Sequence, residues 1–508
     1  MKKALFTLLV ALSCQTSKAS DGDSIWGANF IHDIYFNFQQ TTYWDTLVSN
    51  YAVDAYTSCE MIFDGTVLPS TGVRFKGNSS YNNASQKKSF KVDVNEFVAS
   101  QDYDGIKKFN LNNGFKDPTF IREKLTLDYM NRHGIHAPRC TYARVYLNNV
   151  YWGLYLIVED VNSKFLSQHF GNNNGNLFKG DPGGDLRWYG STFSSYTSHY
   201  ELDETTTNDW QDLIDLISVI NTTPATTFYS TLETKLFGQD AINNMVINNI
   251  FVNLDSYCGS GHNYYIYQDS TAGVFRWIPW DENETFGNFN MGMTPTQLKN
   301  LAYDFVDQPN NRPLATKMLA DATYHQMYIN AFCYLMQDFS NTNLDPYIDS
   351  LANQIRTDVY ADPNKFYTNQ NFEDNMTIDI VGSGPNGGNI LGLKNFISAR
   401  RSSLETQLAP FGCYLSVEDL SPSEPTLLVY PNPASDILFF NLPASWYNEK
   451  YTVEVIDMLG RVVILYDEVP TSPNSSVEIS ALTPGVYLLQ ITNRTGMRYT
   501  SRFWRSAE

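Results

Sequence analysis

The chain has 508 residues, long enough for more than one domain, and its 43% hydrophobic and 14% aromatic content is that of packed globular protein, not of a disordered segment. A formal net charge of -19 excludes non-specific nucleic-acid binding, which needs a basic surface against the phosphate backbone, and disfavours adhesion to anionic lipid.

The N-terminus reads Met-Lys-Lys, then an apolar run from Ala4 to Leu12, then Ser17-Lys18-Ala19. A charged start, a short apolar stretch and a small-x-small cleavage site form a signal peptide, residues 1–19. Its removal takes Lys2, Lys3 and Lys18 away and leaves the mature chain more acidic. The apolar run is too short to span a bilayer, and no later segment is long and apolar enough to do so. Cys59, Cys140, Cys258, Cys333 and Cys413 remain, without a Cys-x-x-Cys pair, which argues against a zinc site. Export permits disulfides; an odd number leaves at least one thiol unpaired, and the pairing stays open.

Residues 24–160 read as β-rich with one helix. Gly72 to Ser80 is a strand running into a Gly/Asn/Ser turn, and Lys87 to Val94 is a second strand. Its alternation sets Lys88, Phe90, Val92 and Val94 on one face, so Lys88 either ends the buried face or points into a cleft. Lys108 to Leu111 is a third strand. Asp117-Pro-Thr119 then supplies helix-start chemistry for Phe120 to His133, which stops at Gly134. Thr141 to Leu147 and Tyr151 to Glu159 form a hairpin around Asn148-Asn149.

Residues 170–208, rich in Gly, Asn, Ser and Tyr, read as long connections. Helical spacing begins near Asp209, with Trp210, Leu213, Ile214, Ile217 and Ile220, and continues in Asp240 to Phe251, which delivers Asp255 past its end. Two aromatic, β-prone runs follow, split by a turn at Gln268 to Gly273, and the acidic cluster Asp281 to Glu284 closes the unit. A hairpin there can bring Asp255, Asn263 and Asp281 together, a carboxylate and amide set suited to hard cations such as magnesium. Further helices are expected at Leu314 to Asp321, Tyr324 to Phe339, Leu344 to Val359 and Leu393 to Leu408. The composition breaks at Ser421-Pro-Ser-Glu-Pro425, and the short alternating strands beyond it have the pattern of a small β-sandwich.

A β-rich region with an inward lysine, then a helical one with Asp, Asn and Asp, is the layout phosphoryl transfer needs. A lysine holds phosphates, metal ions bridge their oxygens, a carboxylate accepts the hydroxyl proton, and a Gly-rich turn cradles phosphate with its N–H groups. The sequence has no Walker motif, no Gly-x-Gly-x-x-Gly and no His-Arg-Asp. Asp281, Asn283 and Thr285 partly mimic a calcium loop, but glycine is missing at its sixth position and Gly292 stands where glutamate belongs.

Arg74-Phe-Lys-Gly-Asn-Ser-Ser80, Lys87-Lys-Ser-Phe90, Phe120-Ile-Arg-Glu-Lys-Leu125, Gly153 to Glu159 and Pro279-Trp-Asp-Glu-Asn-Glu-Thr-Phe-Gly287 occur in an order that resembles the CotH family of secreted atypical protein kinases. The resemblance implies an α+β fold, a two-lobed atypical protein-kinase-like domain over 24–415, with a β-rich lobe at 24–160 and a helical lobe at 205–410. It implies that Gly77, Asn78, Ser79 and Ser80 cradle phosphate, that Lys88 contacts the nucleotide phosphates, and that Glu123 pairs with that lysine. Glu159 would lie near the hinge and adenine. Asp255 would be the catalytic base, with Asn263, Asn283 and Asp281 holding magnesium or manganese, Asp281 as the principal ligand. ATP would be the donor and a protein hydroxyl, Ser or Thr, the acceptor.

Two features depart from the family. Asn283 stands where a second aspartate is usual, and Asp255 and Asn263 are eight residues apart where a kinase catalytic loop has five. Both also fit a degenerate kinase scaffold acting as a surface binding protein or adhesin. The tail, with Val429-Tyr-Pro-Asn-Pro433, Val455 to Val462 and Leu482-Thr-Pro-Gly-Val-Tyr487, resembles the C-terminal sorting domain of the type IX secretion system. That resemblance implies a linker at 416–426, an immunoglobulin-like sandwich at 427–508, engagement of the secretion machinery, and a secreted or cell-surface destination.

Overall fold

The computed structural model describes residues 21–204, 209–382 and 388–413, and in a separate C-terminal unit residues 427, 429–441, 446, 450–457, 461–469, 474–494 and 498–506. The expected signal peptide and linker lie outside the described residues.

Seven strands close into a barrel: β1 (His32–Asn37), β2 (Thr57–Phe63), β3 (Thr66–Lys76), β4 (Ser89–Asp93), β5 (Lys108–Asn112), β6 (Cys140–Leu147) and β7 (Val150–Glu159). Their order is β1-β2-β3-β4-β5-β7-β6, and β1 closes the ring by pairing parallel with β6. The alternation seen in the sequence decides the two faces. Val73 and Phe75 of β3, Phe90 and Val92 of β4, and Phe109 and Leu111 of β5 are buried together inside the barrel. Paired residues share a face, so Lys76 and Ser89 point outward together. The β6–β7 hairpin turns at Asn148 (φ 47°) and Asn149 (φ 66°), a left-handed pair that matches the strand twist.

Helices α1 (Asp23–Trp26) and α2 (Tyr43–Tyr51) flank the barrel strands in sequence, and α3 (Arg122–Arg132) follows β5. The Asp117 carboxylate starts α3 by accepting the N–H groups of Thr119 and Arg122, each at 2.9 Å, and Gly134 (φ 73°) terminates it. Arg122 itself is fully buried, held by Asp117, the Asn375 side chain (2.8 Å) and the Leu391 carbonyl (2.6 Å). The outer face of β6 and β7, with Tyr142, Leu154, Leu156 and Val158, packs with α3 into the larger helical core.

α4 (Ser163–Phe170) packs Phe165 and Leu166 into a smaller cluster with Leu177, Tyr265 and Ile278. The larger core gathers α5 (Gln211–Thr222), α6 (Phe228–Leu232), α7 (Gly238–Ile250), α8 (Pro295–Lys299), α9 (Pro313–Ala320), α10 (Ala322–Leu335), α11 (Asn341–Ala361), α12 (Asn369–Asp374) and α13 (Leu393–Leu408). The last runs over the residues its apolar periodicity predicts. A four-stranded sheet, β11-β10-β8-β9, is built on the hairpin β10 (Tyr264–Asp269) and β11 (Val274–Pro279), with β8 (Leu177–Lys179) and β9 (Glu201–Glu204) added at the β10 edge. β8 and β9 fall in the stretch expected to be connections. At three and four residues they are too short to show an alternation. Cys333 and Cys413 form a disulfide, and Cys59, Cys140 and Cys258 are free thiols.

The C-terminal unit holds two sheets. β12 (Val429–Tyr430), β13 (Ile437–Asn441) and β16 (Asn474–Glu478) form one; β14 (Tyr451–Asp457), β15 (Val462–Glu468), β17 (Gly485–Asn493) and β18 (Arg498–Arg505) form the other. Leu438 and Phe440 from the first share a buried core with Val453, Val455, Leu489, Ile491 and Phe503 from the second, as in a sandwich.

Candidate active site

The site begins with β3. Its last residue, Lys76, points off the outer face of the barrel directly before the turn Gly77 to Ser80, where Gly77 takes φ 85°. The Lys76 ammonium lies 3.4 Å from Asn112 Oδ1 and 5.2 Å over the Trp280 ring. Asn112 donates through Nδ2 to both oxygens of Glu123, each at 2.9 Å, and so links the lysine to α3. Burial pulls the Lys76 ammonium below its ordinary range, partly offset by the facing charge of Asp281. Burial, reinforced by Asp281, pushes the Glu123 carboxyl up.

Asp281 follows β11 in a left-handed conformation (φ 59°, ψ 58°). Burial raises its carboxyl, Lys76 opposes the rise and Asp255 adds to it. Lys76 and Asp281 keep some accessible surface although protein surrounds them on most sides, as groups lining a cleft do.

Asp255 is placed by the end of α7. Asn253 Oδ1 accepts the Asp255 N–H (3.1 Å), and Asn253 Nδ2 donates to Glu282 Oε2 (2.8 Å), tying the two acidic segments together. His262 Nε2 is 3.1 Å from Asp255 Oδ1, while Asn263 Nδ2 donates to the Asp255 carbonyl (2.8 Å) and to Oδ2 (3.1 Å). Burial works to raise the Asp255 carboxyl, but the hydrogen bond and charge of His262 outweigh it and hold the group below the ordinary range. Burial opposes the charged His262 ring, and Asp255 overrides that and raises it.

The eight-residue spacing between Asp255 and Asn263 does not separate them. The extra residues fold back on themselves, with Ser260 N–H on the Leu254 carbonyl (2.9 Å) and Gly261 N–H on the Ser256 carbonyl (2.9 Å). Gly259 is required there, because a Cβ would stand 1.9 Å from the Leu254 oxygen. Val252 (φ 48°), Asn263 (φ 61°), Asp281 and Phe286 (φ 62°) are all left-handed, a concentration of backbone strain of the kind functional sites store.

Among the residues expected from the sequence, Asp255 and Asn263 are in contact, and Asp281 and Glu123 face Lys76. Lys88 is elsewhere. Its ammonium donates to the carbonyls of Tyr81 (2.6 Å) and Asn83 (2.7 Å), because β4 begins only at Ser89 and Lys88 still belongs to the preceding loop. Lys76, not Lys88, is the lysine linked to Glu123, through Asn112. The signal was present in the sequence: with Val73 and Phe75 inward, Lys76 must point out, one residue before the glycine. Glu159 is held by Arg139 at both oxygens (2.6 and 3.0 Å) and lines a cavity with Lys108 and Asp160.

Asn283 sits in the single helical turn Glu282–Glu284, and its buried Oδ1 has no hydrogen-bond partner among the described residues. Sequence reasoning also missed Lys116, which pairs with Glu284 (2.5 Å), and Lys91, which pairs with Asp160 (3.1 Å); both lie far in sequence from their partners. A cavity of about 400 Å³ is lined by Lys107, Lys108, Glu159, Asp160 and Ser163, and another of about 490 Å³ by Asp33, Arg144 and Asp358.

Among the described residues no three His, Cys, Asp or Glu side chains converge as a metal cage. The donors present are oxygens of one or two carboxylates and of amides, including the orphaned Asn283 Oδ1. That set fits magnesium, which completes its shell with water and phosphate oxygens, better than a cation that needs an all-protein site.

The Lys76–Glu123 link and the two acidic segments fall within a family match. The model of the CotH kinase protein family covers residues 73–404, and the chain belongs to that family. A second match, to the secretion system C-terminal sorting domain, covers residues 428–504 and marks the chain for export by the type IX route to the surface or the medium. The inner spore coat protein H of Bacillus subtilis (strain 168) is 27% identical over 285 residues, covering 55% of this chain and 75% of that protein. Invasin CotH2 of Rhizopus delemar is 22% identical over 411 residues, covering 75% of this chain and 67% of that protein. Invasin CotH3 of the same organism is 22% identical over 421 residues, covering 77% and 68%. No helix among the described residues is long and apolar enough to cross a membrane.

Proposed function

We propose that the chain is an exported two-lobed atypical protein kinase that transfers phosphate from Mg-ATP to a protein serine or threonine hydroxyl. The observation that carries this reading is the convergence of Lys76, Glu123, Asp281 and Asp255 from four elements distant in sequence. Lys76 holds the nucleotide phosphates, with Glu123 orienting it through Asn112, and the turn Gly77–Ser80 presents its N–H groups to them. Asp281, Asn263 and Asn283 would hold the metal. When bound, magnesium or manganese supplies charge neutralisation at the transferring phosphoryl group. Asp255 accepts the proton of the acceptor hydroxyl as that oxygen attacks phosphorus and the bond to ADP breaks. Its lowered proton affinity keeps it ionised and able to accept at neutral pH.

Incubation with labelled ATP, magnesium or manganese, and generic protein acceptors tests the reading. Incorporation into the acceptor is expected. Its absence, together with no rise in melting temperature on adding Mg-ATP, would overturn it.

A second reading, a surface binding protein on a degenerate kinase scaffold, is favoured by one observation. Both Asp255 oxygens already accept hydrogen bonds, from His262 and Asn263, and position 283 carries an amide. The names of the two Rhizopus relatives, both invasins, point the same way. Binding of a cell surface without binding of nucleotide would establish it.

A further inference from the structure

Lys88 lies outside the cleft groups, yet it makes an unusual set of contacts. Its ammonium donates to the carbonyls of Tyr81 and Asn83 at 2.6 and 2.7 Å, and lies 5.1 Å over the Tyr81 ring. Its own carbonyl accepts the hydroxyl of Tyr155 on β7 at 3.0 Å, so the lysine is anchored to the barrel wall. The Tyr81 ring stacks on Tyr51 of α2 with centroids 3.4 Å apart, and the Tyr51 hydroxyl donates to the Gly77 carbonyl at 2.7 Å. A chain of contacts thus runs from Lys88 through Tyr81 and Tyr51 to Gly77. Asn82 Nδ2 closes the same loop onto Asn78 Oδ1 at 2.9 Å.

The held loop presents something specific. The N–H groups of Asn78, Ser79 and Ser80 donate to no acceptor among the described residues, and Asn78 and Ser79 are exposed. Gly77 takes φ 85° with the Ser80 hydroxyl packed where a Cβ would be. Successive free amides after a left-handed residue make an anion-binding concavity, but only while the backbone stays in that shape. A loop this exposed keeps one shape only if something fixes it.

We propose that Lys88 is a positioning residue that clasps residues 77–86 so that the free amides of Asn78 to Ser80 are held ready for the phosphates of the nucleotide, beside Lys76. This rests on the kinase reading above. It differs from the role the sequence suggested, because Lys88 does not touch the ligand; it acts through Tyr81 and Tyr51. Charged hydrogen bonds to two carbonyls are strong enough to decide a loop conformation.

The test uses the full chain with Lys88→Met, Lys88→Arg, Tyr51→Phe and the double variant Lys88→Met/Tyr51→Phe. Two readouts are taken: amide hydrogen exchange over residues 77–86 without ligand, and KM and kcat with Mg-ATP. Lys88→Met is expected to speed exchange in that loop and raise KM on the order of tenfold with little change in kcat, the size set by a lost charged hydrogen bond. Lys88→Arg is expected to restore much of both. Tyr51→Phe is expected to give a smaller effect of the same kind, and the double variant to be no worse than Lys88→Met, as for residues acting in one chain of contacts. Unchanged exchange in Lys88→Met, or additive effects in the double variant, would overturn the clasp. If the wild type binds no Mg-ATP while the exchange changes remain, the kinase reading and the phosphate-presenting role fail together and only the loop clasp stands.

Discussion

Two lysines, Lys76 at the end of β3 and Lys87 in the loop before β4, each face an aspartate from the helical part of the chain, and the two pairs are opposites. Lys87 and Asp362 have no exposed side-chain surface and form a direct ion pair. Around that pair Leu154 N–H donates to Asp362 Oδ2 at 3.0 Å, and the Phe120 and Tyr155 rings lie 4.6 and 5.0 Å from the ammonium. Gly153 is required beside it, since a Cβ would stand 2.6 Å from the carboxylate. Lys76 and Asp281 instead keep partial exposure, feel each other's charge without forming an ion pair, and sit amid left-handed residues. The sealed pair ties the segment just before β4 to the end of α11. An unsaturated, strained pair leaves capacity for a ligand. The same two side-chain types are therefore sealed away in one place and left partly exposed in the other, and the proposed chemistry belongs to the second.

Breaking the sealed pair has the largest expected effect. Asp362→Ala leaves an ammonium buried without its partner and is expected to cost about 3–5 kcal/mol of stability in denaturant unfolding. A cost below about 1 kcal/mol would mean that the pair is not the anchor described. Lys76→Met should do the reverse. Burial already opposes its charge, so stability is expected to hold or rise, while transfer from Mg-ATP falls by about 10²–10³ in kcat/KM. A loss of stability without loss of transfer would place Lys76 in the architectural class.

The smallest effect is a pH slope. Burial and then the charge of Asp281 raise the Glu123 carboxyl above its ordinary value of 4.5, so the folded protein holds that proton more tightly than the unfolded chain. Its contribution to stability is complete below pH 4.5 and is lost as pH rises through the folded value. Glu123→Gln is expected to remove about 1–2 kcal/mol of this decline between pH 5 and 8, read from melts across that range. An unchanged slope would show that Glu123 is not the buried, charge-coupled group described.

Much of the fold was legible because it rests on local signals. The α3 start at Asp117, its stop at Gly134, the Asn148-Asn149 hairpin and the whole of α13 follow from caps, turns and periodicity. Asp255 and Asp281 were legible as acids joined by a hairpin, with the Asn263 amide at its start. Barrel closure was not, because β1 meets β6 across more than a hundred residues with no local trace. Nor was the choice among lysines. Alternation from Phe90 back through Lys88 ignores where the strand begins, and β4 starts one residue later. The partner of Lys87 could not be read either, since Asp362 lies 275 residues away.

The most direct measurement is calorimetric titration of Mg-ATP into the wild type and into Asp281→Asn. Saturable binding that requires the metal is expected for the wild type, with affinity at least about tenfold weaker in Asp281→Asn. Equal binding by both proteins, or none by the wild type, would contradict a nucleotide and metal site at Asp281.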